Sequence, residues 1–273
     1  MESAPGPYSN LDRPRLSEAV LTRAVLGGQS RWSEVRVVAS TGSTNADLVT
    51  AALAGDRAEK VLVAEEQTSG RGRLDRGWAS PPRSGLTFSM LVVPHWPITE
   101  WGWVPLAAGV ALVEAVRASC ELDDAGVKWP NDLLVGERKC AGVLAEIAGD
   151  TVVVGIGLNV TTRADELPDG AVGAAAPTSL LLEGAATTDR GTLLLSILRR
   201  FDHLLSNDAA AVRERLQEVC STIGAQVRVE LPGDATVEGT AVDVDHDGRL
   251  VVETDEGRRH FAAGDVRHIR RTL

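Results

Sequence analysis

The sequence predicts an α+β fold: a mixed or antiparallel sheet packed with helices, followed by a small β-barrel. Three observations carry that expectation. Between Val127 and Val160, apolar runs are joined by short turns at Gly136-Glu137 and Gly149-Asp150, the pattern of an antiparallel meander. Residues 101–120, 192–205 and 209–220 carry apolar side chains at helical spacing. Beyond Gly224 the texture changes to short alternating strands with tight turns, which suits a separate barrel of about 50 residues.

In chain order, residues 1–14, with Pro5, Pro7 and Pro14 and few large apolar side chains, are expected to be a disordered lead. Leu16, Val20, Leu21, Ala24 and Val25 recur at helical spacing and stop at Gly27-Gly28, giving one short amphipathic helix. A strand over 35–39 runs into Ser40-Thr-Gly-Ser-Thr-Asn45, and a helix follows to about residue 53, closed by Gly55. Thr44 with Asp47 three residues on fits a capping box. Residues 60–65 and 85–93 read as strands, the second apolar enough to be central. Leu106, Val110, Val113 and Val116 mark a long buried helix over 101–120, in which Trp101 and Trp103 are packing residues. Pro130 holds Trp129 extended at the corner of the meander. Residues 161 to about 190, rich in Ala, Gly, Thr and Asp, are expected to form a surface connection with an apolar island at 180–182. Two amphipathic helices follow, and then five barrel strands over 226–231, 236–244, 249–254, 258–262 and 266–270. The expected division is a main domain over 15–222 and the barrel over 223–273.

With 273 residues, 44% of them apolar, the chain is long enough for a sizeable core. No apolar run approaches the roughly 20 residues of a bilayer span, and the N-terminus lacks a signal pattern. Cys120, Cys140 and Cys220 are an odd number, far apart and without a C-x-x-C pair, which speaks against a disulfide framework or a cysteine zinc site. A reducing cytoplasm and no membrane are the expectation. Cys140, beside Lys139, is either a reactive thiol or a small buried hydrophobe.

The densest chemistry lies in Gln67-Thr-Ser-Gly-Arg-Gly-Arg-Leu-Asp-Arg-Gly-Trp78. Three arginines are interleaved with three glycines in a chain of net charge -10, so positive charge gathers locally against the overall sign. Gly70, Gly72 and Gly77 let backbone approach a ligand, and each guanidinium is a rigid fork for carboxylate or phosphate oxygens. The segment reads as a wrap for an anion, a solvated arginine turn, or a follower of nucleic-acid backbone. With 38 acidic against 28 basic residues, the chain shows no basic face of the kind nucleic-acid binders carry. One short helix before residue 30 is also too little for a helix-turn-helix domain. Upstream, Ser43, Thr44 and Asn45 open a helix and offer hydroxyl and amide groups to a polar ligand head.

Other motifs weigh less. Asp243-Val-Asp-His-Asp-Gly248 begins like a calcium loop, but Thr254 stands where the bidentate glutamate belongs, so a hairpin turn is expected. Gly155-Ile-Gly157 lacks the following helix and third glycine of a dinucleotide fingerprint. No G-K-[ST] loop is present, and the five histidines show no metal-ligand spacing.

Taken together, Ser43-Thr-Asn45, Gln67 with the loop after it, Lys128-Trp-Pro-Asn-Asp132, Arg138-Lys-Cys-Ala-Gly142 and Gly155-Ile-Gly-Leu-Asn159 resemble the biotin protein ligase family, in the family's order and over about residues 33–270. The resemblance implies a fold related to class II synthetases with a C-terminal Src-homology-3-like barrel, in a monofunctional type without an N-terminal DNA-binding domain. It also implies a reaction. Biotin and MgATP give biotinyl-5'-adenylate and pyrophosphate, and a lysine of a biotin carboxyl carrier domain then takes the biotinyl group. Arg73, Lys139 and Asp132 are the implied catalytic residues. Ser43, Thr44, Asn45, Gln67, Arg71, Gly72, Arg73, Lys139, Gly142 and Gly157 are implied to bind biotin, with the two last leaving room for its bicycle. Arg73, Arg76, Lys139 and Asn159 are implied to hold the nucleotide, with magnesium arriving on ATP and no dedicated protein metal site. The physical reason for the cations is plain: a carboxylate must attack an anionic phosphate, and two like charges approach only with positive charge between them. The acceptor amine titrates near about 10.4, and an aspartate near about 3.9 is too weak a base to deprotonate it alone, so Asp132 is expected to orient it. A turn is the other reading of Asn131-Asp132. The sequence departs from the family's Gly-Arg-Gly-Arg-Arg-Gly-Arg loop at Leu74 and Asp75, which bears on the placement of Arg76. The rival enzyme is a lipoate or octanoate ligase or transferase of the same architecture. The rival from another class is a biotin-responsive DNA-binding repressor. A cytoplasmic monomer or weak homodimer is expected, with a carboxylase carrier domain as partner and no DNA.

Overall fold

The computed structural model describes residues 13–28, 30–73, 76–170, 174–231, 235–262 and 264–269. Helix α1 (Glu18–Leu26) starts at Ser17, whose hydroxyl accepts from the Val20 N–H, and buries Leu21 and Val25. Strand β1 (Glu34–Val38) leads to α2 (Thr44–Leu53). The cap of α2 is Ser43, not the expected Thr44: the Ser43 hydroxyl accepts from the Ala46 N–H. Thr44 is thereby the first helical residue, and its own hydroxyl contacts Gln67 Oε1 and Ser89 Oγ. Strand β2 (Lys60–Ala64) runs parallel to β1. The glycine-arginine segment that follows is a ribbon, with β3 (Gly70–Arg71) paired antiparallel to β4 (Gly77–Trp78).

Every residue of β5 (Gly85–Val92) is buried, as its apolar run predicts. Helix α3 (Trp103–Cys120) begins two residues later than the periodicity suggests, because Ile98–Glu100 takes a short 3-10 turn first. The meander follows as β6 (Ala125–Lys128), β7 (Asp132–Val135), β8 (Arg138–Ala148) and β9 (Thr151–Asn159). Next come α4 (Arg190–Leu205) and α5 (Ala209–Val219), capped by Asp189 and Asp208. The C-terminal unit contains β10 (Gln226–Glu230), β11 (Thr236–Val244), β12 (Leu250–Thr254), β13 (Gly257–Phe261) and β14 (Asp265–His268).

The main sheet has the order β1-β2-β5-β9-β8-β7-β6, parallel only between β1 and β2, and the C-terminal strands form an antiparallel sheet in the order β13-β12-β11-β10-β14. The two faces of the main sheet follow from the period-two alternation of a strand. Val61, Val63, Met90, Val92, Val152 and Val154 belong to the large core that α3 and α4 cover. Leu62, Leu91 and Val153, one position out of phase, form a smaller cluster with Leu48 and Ala52 of α2. Each large aliphatic side chain buried this way gains about 1.5–3 kcal/mol gross. Among the described residues α3 is the helix with the length and composition of a membrane span, and it is the core helix of this fold. Trp101 and Trp103 are packing residues, at 9% and 1% exposure.

The C-terminal sheet is packed onto the main one. Val227, Val229 and Ala241 share the large core, and two tryptophans reach the β11–β12 turn: Trp103 Nε1 donates to His246 O (2.7 Å) and Trp129 Nε1 to Gly248 O (3.1 Å). The calcium-like motif is thus a hairpin turn with a docking role. The ligand atoms of Asp245, His246 and Asp247 lie within 4.8 Å of one another, but the Asp245 carboxylate is taken up by the N–H groups of Asp247 and Arg249, by Arg249 Nε and by the His260 ring.

The expected disordered lead falls mostly on residues 1–12, outside the described residues. Arg13 and Pro14 belong to the fold: Arg13 is buried against Glu166 and the Thr161 carbonyl, and the Pro14 carbonyl accepts from Arg190 Nη2 at 2.6 Å.

Candidate active site

On the sheet face that carries α2, β9 presents Gly155, Gly157 and Asn159 in alternating positions, at steps of roughly 6.8 Å. Register places Ser89 beside Gly155 on one side and Gly142 beside Gly157 on the other. Two neighbouring glycines leave a bare patch, and other side chains come down onto it. A Cβ on Gly155 would stand 2.2 Å from Asn45 Oδ1, and one on Gly157 would stand 2.3 Å from the Trp78 indole. Over this patch lies a cavity of about 250 Å3. Ser43, Thr44, Asn45, Gln67, Arg71, Gly72, Arg73, Arg76, Asp132, Lys139, Gly142, Gly157 and Asn159 all line it, so five segments distant in sequence meet in one place.

The floor near Gly155 is polar. Thr44 N–H donates to Gln67 Oε1 (2.8 Å), the Thr44 hydroxyl lies 3.0 Å from the same oxygen and 2.7 Å from Ser89 Oγ, and Ser89 donates to Asn45 Oδ1 at 2.6 Å. Thr44, Asn45 and Ser89 are buried, so these groups stay in place without a ligand. The middle is walled by Trp78. Its buried indole Nε1 has no hydrogen-bond partner among the described residues, a donor held ready inside the cavity.

The cations stand at the Gly142 side and along the ribbon. Lys139 Nζ is 2.6 Å from Asp132 Oδ1, and a Cβ on Gly142 would lie 3.6 Å from that ammonium. Arg73 donates to Asn131 Oδ1 at 3.0 Å, and Asn131 is fixed in turn by its own bonds to Val143 O and N. Burial lowers the affinity of the Arg73 guanidinium for its proton, and Asp132 opposes that shift, but a guanidinium stays charged at any ordinary pH. Arg71 pairs with Glu146, and Arg76 with Asp265 of the C-terminal sheet at 3.2 Å. Asp265 also lines the cavity, so the small C-terminal unit contributes a side chain to it. Lys128, from the same run as Asn131, is buried, and burial lowers its pKa. Asn159 donates to the Thr178 carbonyl (2.9 Å), which ties the chain after β9 to the cavity edge.

Several residues were missed by sequence reasoning. Residues 161–190 were expected to be a surface connection, yet Pro168, Asp169, Gly170, Ala175 and Pro177 wall the cavity, and residues 176 and 178 bond to the backbone of Lys139. Nothing periodic marks such a segment. Trp78 ends the quoted loop, but its closeness to Gly157 is tertiary. Ser89 and Glu146 did leave a signal, a polar side chain within an apolar strand. Leu74 and Asp75, the departure from the family loop, lie outside the described residues. Cys140 is wholly buried, and burial pushes its thiol far above the ordinary range, so it is a packing residue and not a reactive one.

The fold and the site define a class of protein: an α+β enzyme whose cavity is bordered by a glycine-arginine ribbon and a sheet-borne lysine. Residues 37–160 match the Biotin/lipoate A/B protein ligase family, and residues 222–268 match the Biotin protein ligase C terminal domain. The chain is 42% identical over 267 residues to the biotin–[acetyl-CoA-carboxylase] ligase of Mycobacterium tuberculosis, covering 94% of this chain and 97% of that one. It is 30% identical over 252 residues to the bifunctional ligase/repressor BirA of Escherichia coli, covering 88% and 75% respectively. Among solved structures, the biotin protein ligase from Aquifex aeolicus in complex with biotin and ATP superposes with a TM-score of 0.74 at 28% identity, over 87% of this chain and 100% of that one. The chain belongs to the biotin protein ligase family.

Proposed function

We propose that this chain is an ATP-dependent biotin ligase that forms biotinyl-5'-adenylate and transfers the biotinyl group to a lysine of the biotin carboxyl carrier domain of a carboxylase. One observation carries the reading: a single cavity of about 250 Å3 joins a polar floor, a bare glycine patch under an indole, and a cluster of cations. Biotin has the matching sequence of parts: a polar ureido ring, an apolar thioether ring fused to it that carries an aliphatic chain, and a carboxylate at the end of that chain.

In this reading Ser43, Thr44, Asn45 and Gln67 seat the ureido head. Gln67 is turned by the Thr44 N–H so that its amide nitrogen is left to donate. The bicycle lies on Gly142 and Gly157 against Trp78, and backbone near Arg71 and Gly72 borders it. Arg73 and Lys139 meet the carboxylate and the α-phosphate together. Magnesium enters with the nucleotide, bound to its phosphates. A carboxylate oxygen of biotin forms a bond to the α-phosphorus, and the bond to the bridging oxygen breaks as pyrophosphate leaves with that electron pair. Charge gathers on the α-phosphate oxygens in this step, and Arg73, Arg76 and Lys139 are the cations set to offset it. Asn159 lies toward the adenine. The mixed anhydride lasts only where water is kept out, which is the work of the ribbon.

In the second step the neutral amine of a carrier lysine attacks the acyl carbon, the anhydride C–O bond breaks, AMP departs with that electron pair, and the nitrogen loses one proton to the departing phosphate or to water. Asp132, held by Lys139, orients that amine. A cytoplasmic setting, where ATP is supplied, fits this reading. The test is direct: the chain, ATP and magnesium are incubated with either biotin or lipoate, and a carrier domain is followed by mass spectrometry. Mass gain with biotin supports the reading, whereas gain with lipoate alone turns the assignment to the lipoate branch.

A further inference from the structure

Glu146 lies on β8, and none of the roles above uses it. Its carboxylate is approached from two directions. Arg71 Nη2, on the ribbon, stands 3.3 and 3.2 Å from its two oxygens, while Asn45 Nδ2, on the cavity floor, stands 2.8 Å from Oε2. An ionised carboxylate only accepts hydrogen bonds, so the Asn45 amide turns its nitrogen toward Glu146, and Leu144 O takes the second amide proton at 3.3 Å. The amide oxygen then faces Ser89, whose single hydroxyl proton is committed to it. With that proton spent, only the Thr44 hydroxyl can donate across the 2.7 Å contact with Ser89, and it shares its one proton between Ser89 and Gln67 Oε1 at 3.0 Å. Gln67 Oε1, at the base of the ribbon, is served by the Thr44 N–H. The chain of donors therefore points toward Glu146, and Arg71 leads from Glu146 back to the ribbon, closing a circuit between the ribbon and the floor.

From this circuit we infer that Glu146 is a positioning residue for ligand binding: it ties the glycine-arginine ribbon to the head-group seat and fixes the direction in which that seat donates. Ribbon and seat then form as one hydrogen-bonded unit. The inference rests on the biotin ligase reading. Lys139, Arg73 and Arg76 make their contacts elsewhere, to Asp132, Asn131 and Asp265, so Glu146 governs the binding of biotin and not of the nucleotide.

The test begins with the wild-type full chain in a biotin-dependent pyrophosphate-release assay with MgATP; a chain without that activity sinks the ligase reading and this one with it. Glu146→Gln keeps the shape and removes the charge. The biotin KM is expected to rise about fivefold to tenfold, the value of one partly exposed charge-assisted contact, with kcat and the ATP KM within about twofold. The ligand-free Tm stays within about 2 °C of wild type, as for a side chain outside the core. Arg71→Ala, alone and combined with Glu146→Gln, completes a cycle in which the double variant is no worse than the weaker-binding single one, because both break the same circuit. An unchanged biotin KM, equal rises in the biotin and ATP KM together with a fallen Tm, or additive effects in the double variant would each overturn the inference.

Discussion

Gly157→Ala is the sharpest probe of how the cavity is built. The added Cβ would stand 2.3, 2.6 and 2.8 Å from three atoms of the Trp78 indole, where ordinary carbon contacts begin at about 3.4–3.5 Å. The ring must therefore move by at least about 1 Å. Trp78 lines the cavity, so a displaced ring encroaches on the volume assigned to the bicycle. Overpacking of this size costs about 1–3 kcal/mol, and if that cost falls on the bound state the biotin KM rises about fivefold to 150-fold. Gly142→Ala is the control. Its Cβ meets its nearest neighbours at 3.6 and 3.7 Å, so Trp78 stays where it is. The assays are pyrophosphate release against biotin concentration and intrinsic tryptophan emission. Gly157→Ala should shift both. Gly142→Ala should leave the emission of the ligand-free protein unchanged. A Gly157→Ala protein with wild-type biotin KM and wild-type emission would refute the packing argument, because the indole would then not rest on that glycine.

Three further outcomes are expected. Arg73→Gly should fold normally but release free adenylate into solution, as followed by chromatography of the reaction mixture, and Asn131→Ala should reproduce part of that leak by freeing Arg73 from its 3.0 Å contact; retention equal to wild type in both counts against the clamp. Arg190→Ala should lower unfolding free energy by about 3–5 kcal/mol in urea titration, because Glu65, at 9% exposure, loses its 2.7 Å partner and remains a buried charge. Acid stability should depend on Glu166: Arg13 beside it, and the Arg163 N–H, lower its pKa from 4.5 to about 2, so its stabilisation is present above the unfolded value and is lost as pH falls toward 2. Glu166→Gln should flatten unfolding free energy against pH in that window, and an unaltered slope would remove Glu166 from the account.

Why some of this was legible in the chain and some was not has a physical answer. A fully buried strand must be continuously apolar, so β5 announces its central place, and the meander announces its turns because Gly136 and Gly149 take positive φ. The helix over residues 44–53 was legible too, but its cap was not. Ser43 and Thr44 are chemically equivalent as caps, and what separates them is that Thr44 faces Gln67 and Ser89, partners brought by β5 and by the chain after β2. Local rules rank residues by what they do alone, whereas the cavity assigns them by what arrives from elsewhere. The same limit hid the wall formed by Pro168, Asp169, Gly170, Ala175 and Pro177, which no periodicity marks.

The charged residues carry that argument one step further. Arg71, Arg73, Arg76 and Lys139 could be read as one cationic cluster from their spacing, yet the structure gives each a different acceptor: Glu146, Asn131, Asp265 and Asp132. Three of those four acceptors are carboxylates, so much of the positive charge is balanced before any ligand enters. A nucleotide that binds here must compete with Asp132 and Asp265 for Lys139 and Arg76, and such exchange is favoured because the triphosphate as a whole brings more charge and more acceptor oxygens than one carboxylate. Arg73 is the exception: its partner is a neutral amide, and its guanidinium is partly desolvated. An under-compensated, partly buried cation is the strongest local attraction for an anion. The reacting carboxylate and α-phosphate are accordingly expected to gather at Arg73, with the paired cations joining as their carboxylates give way.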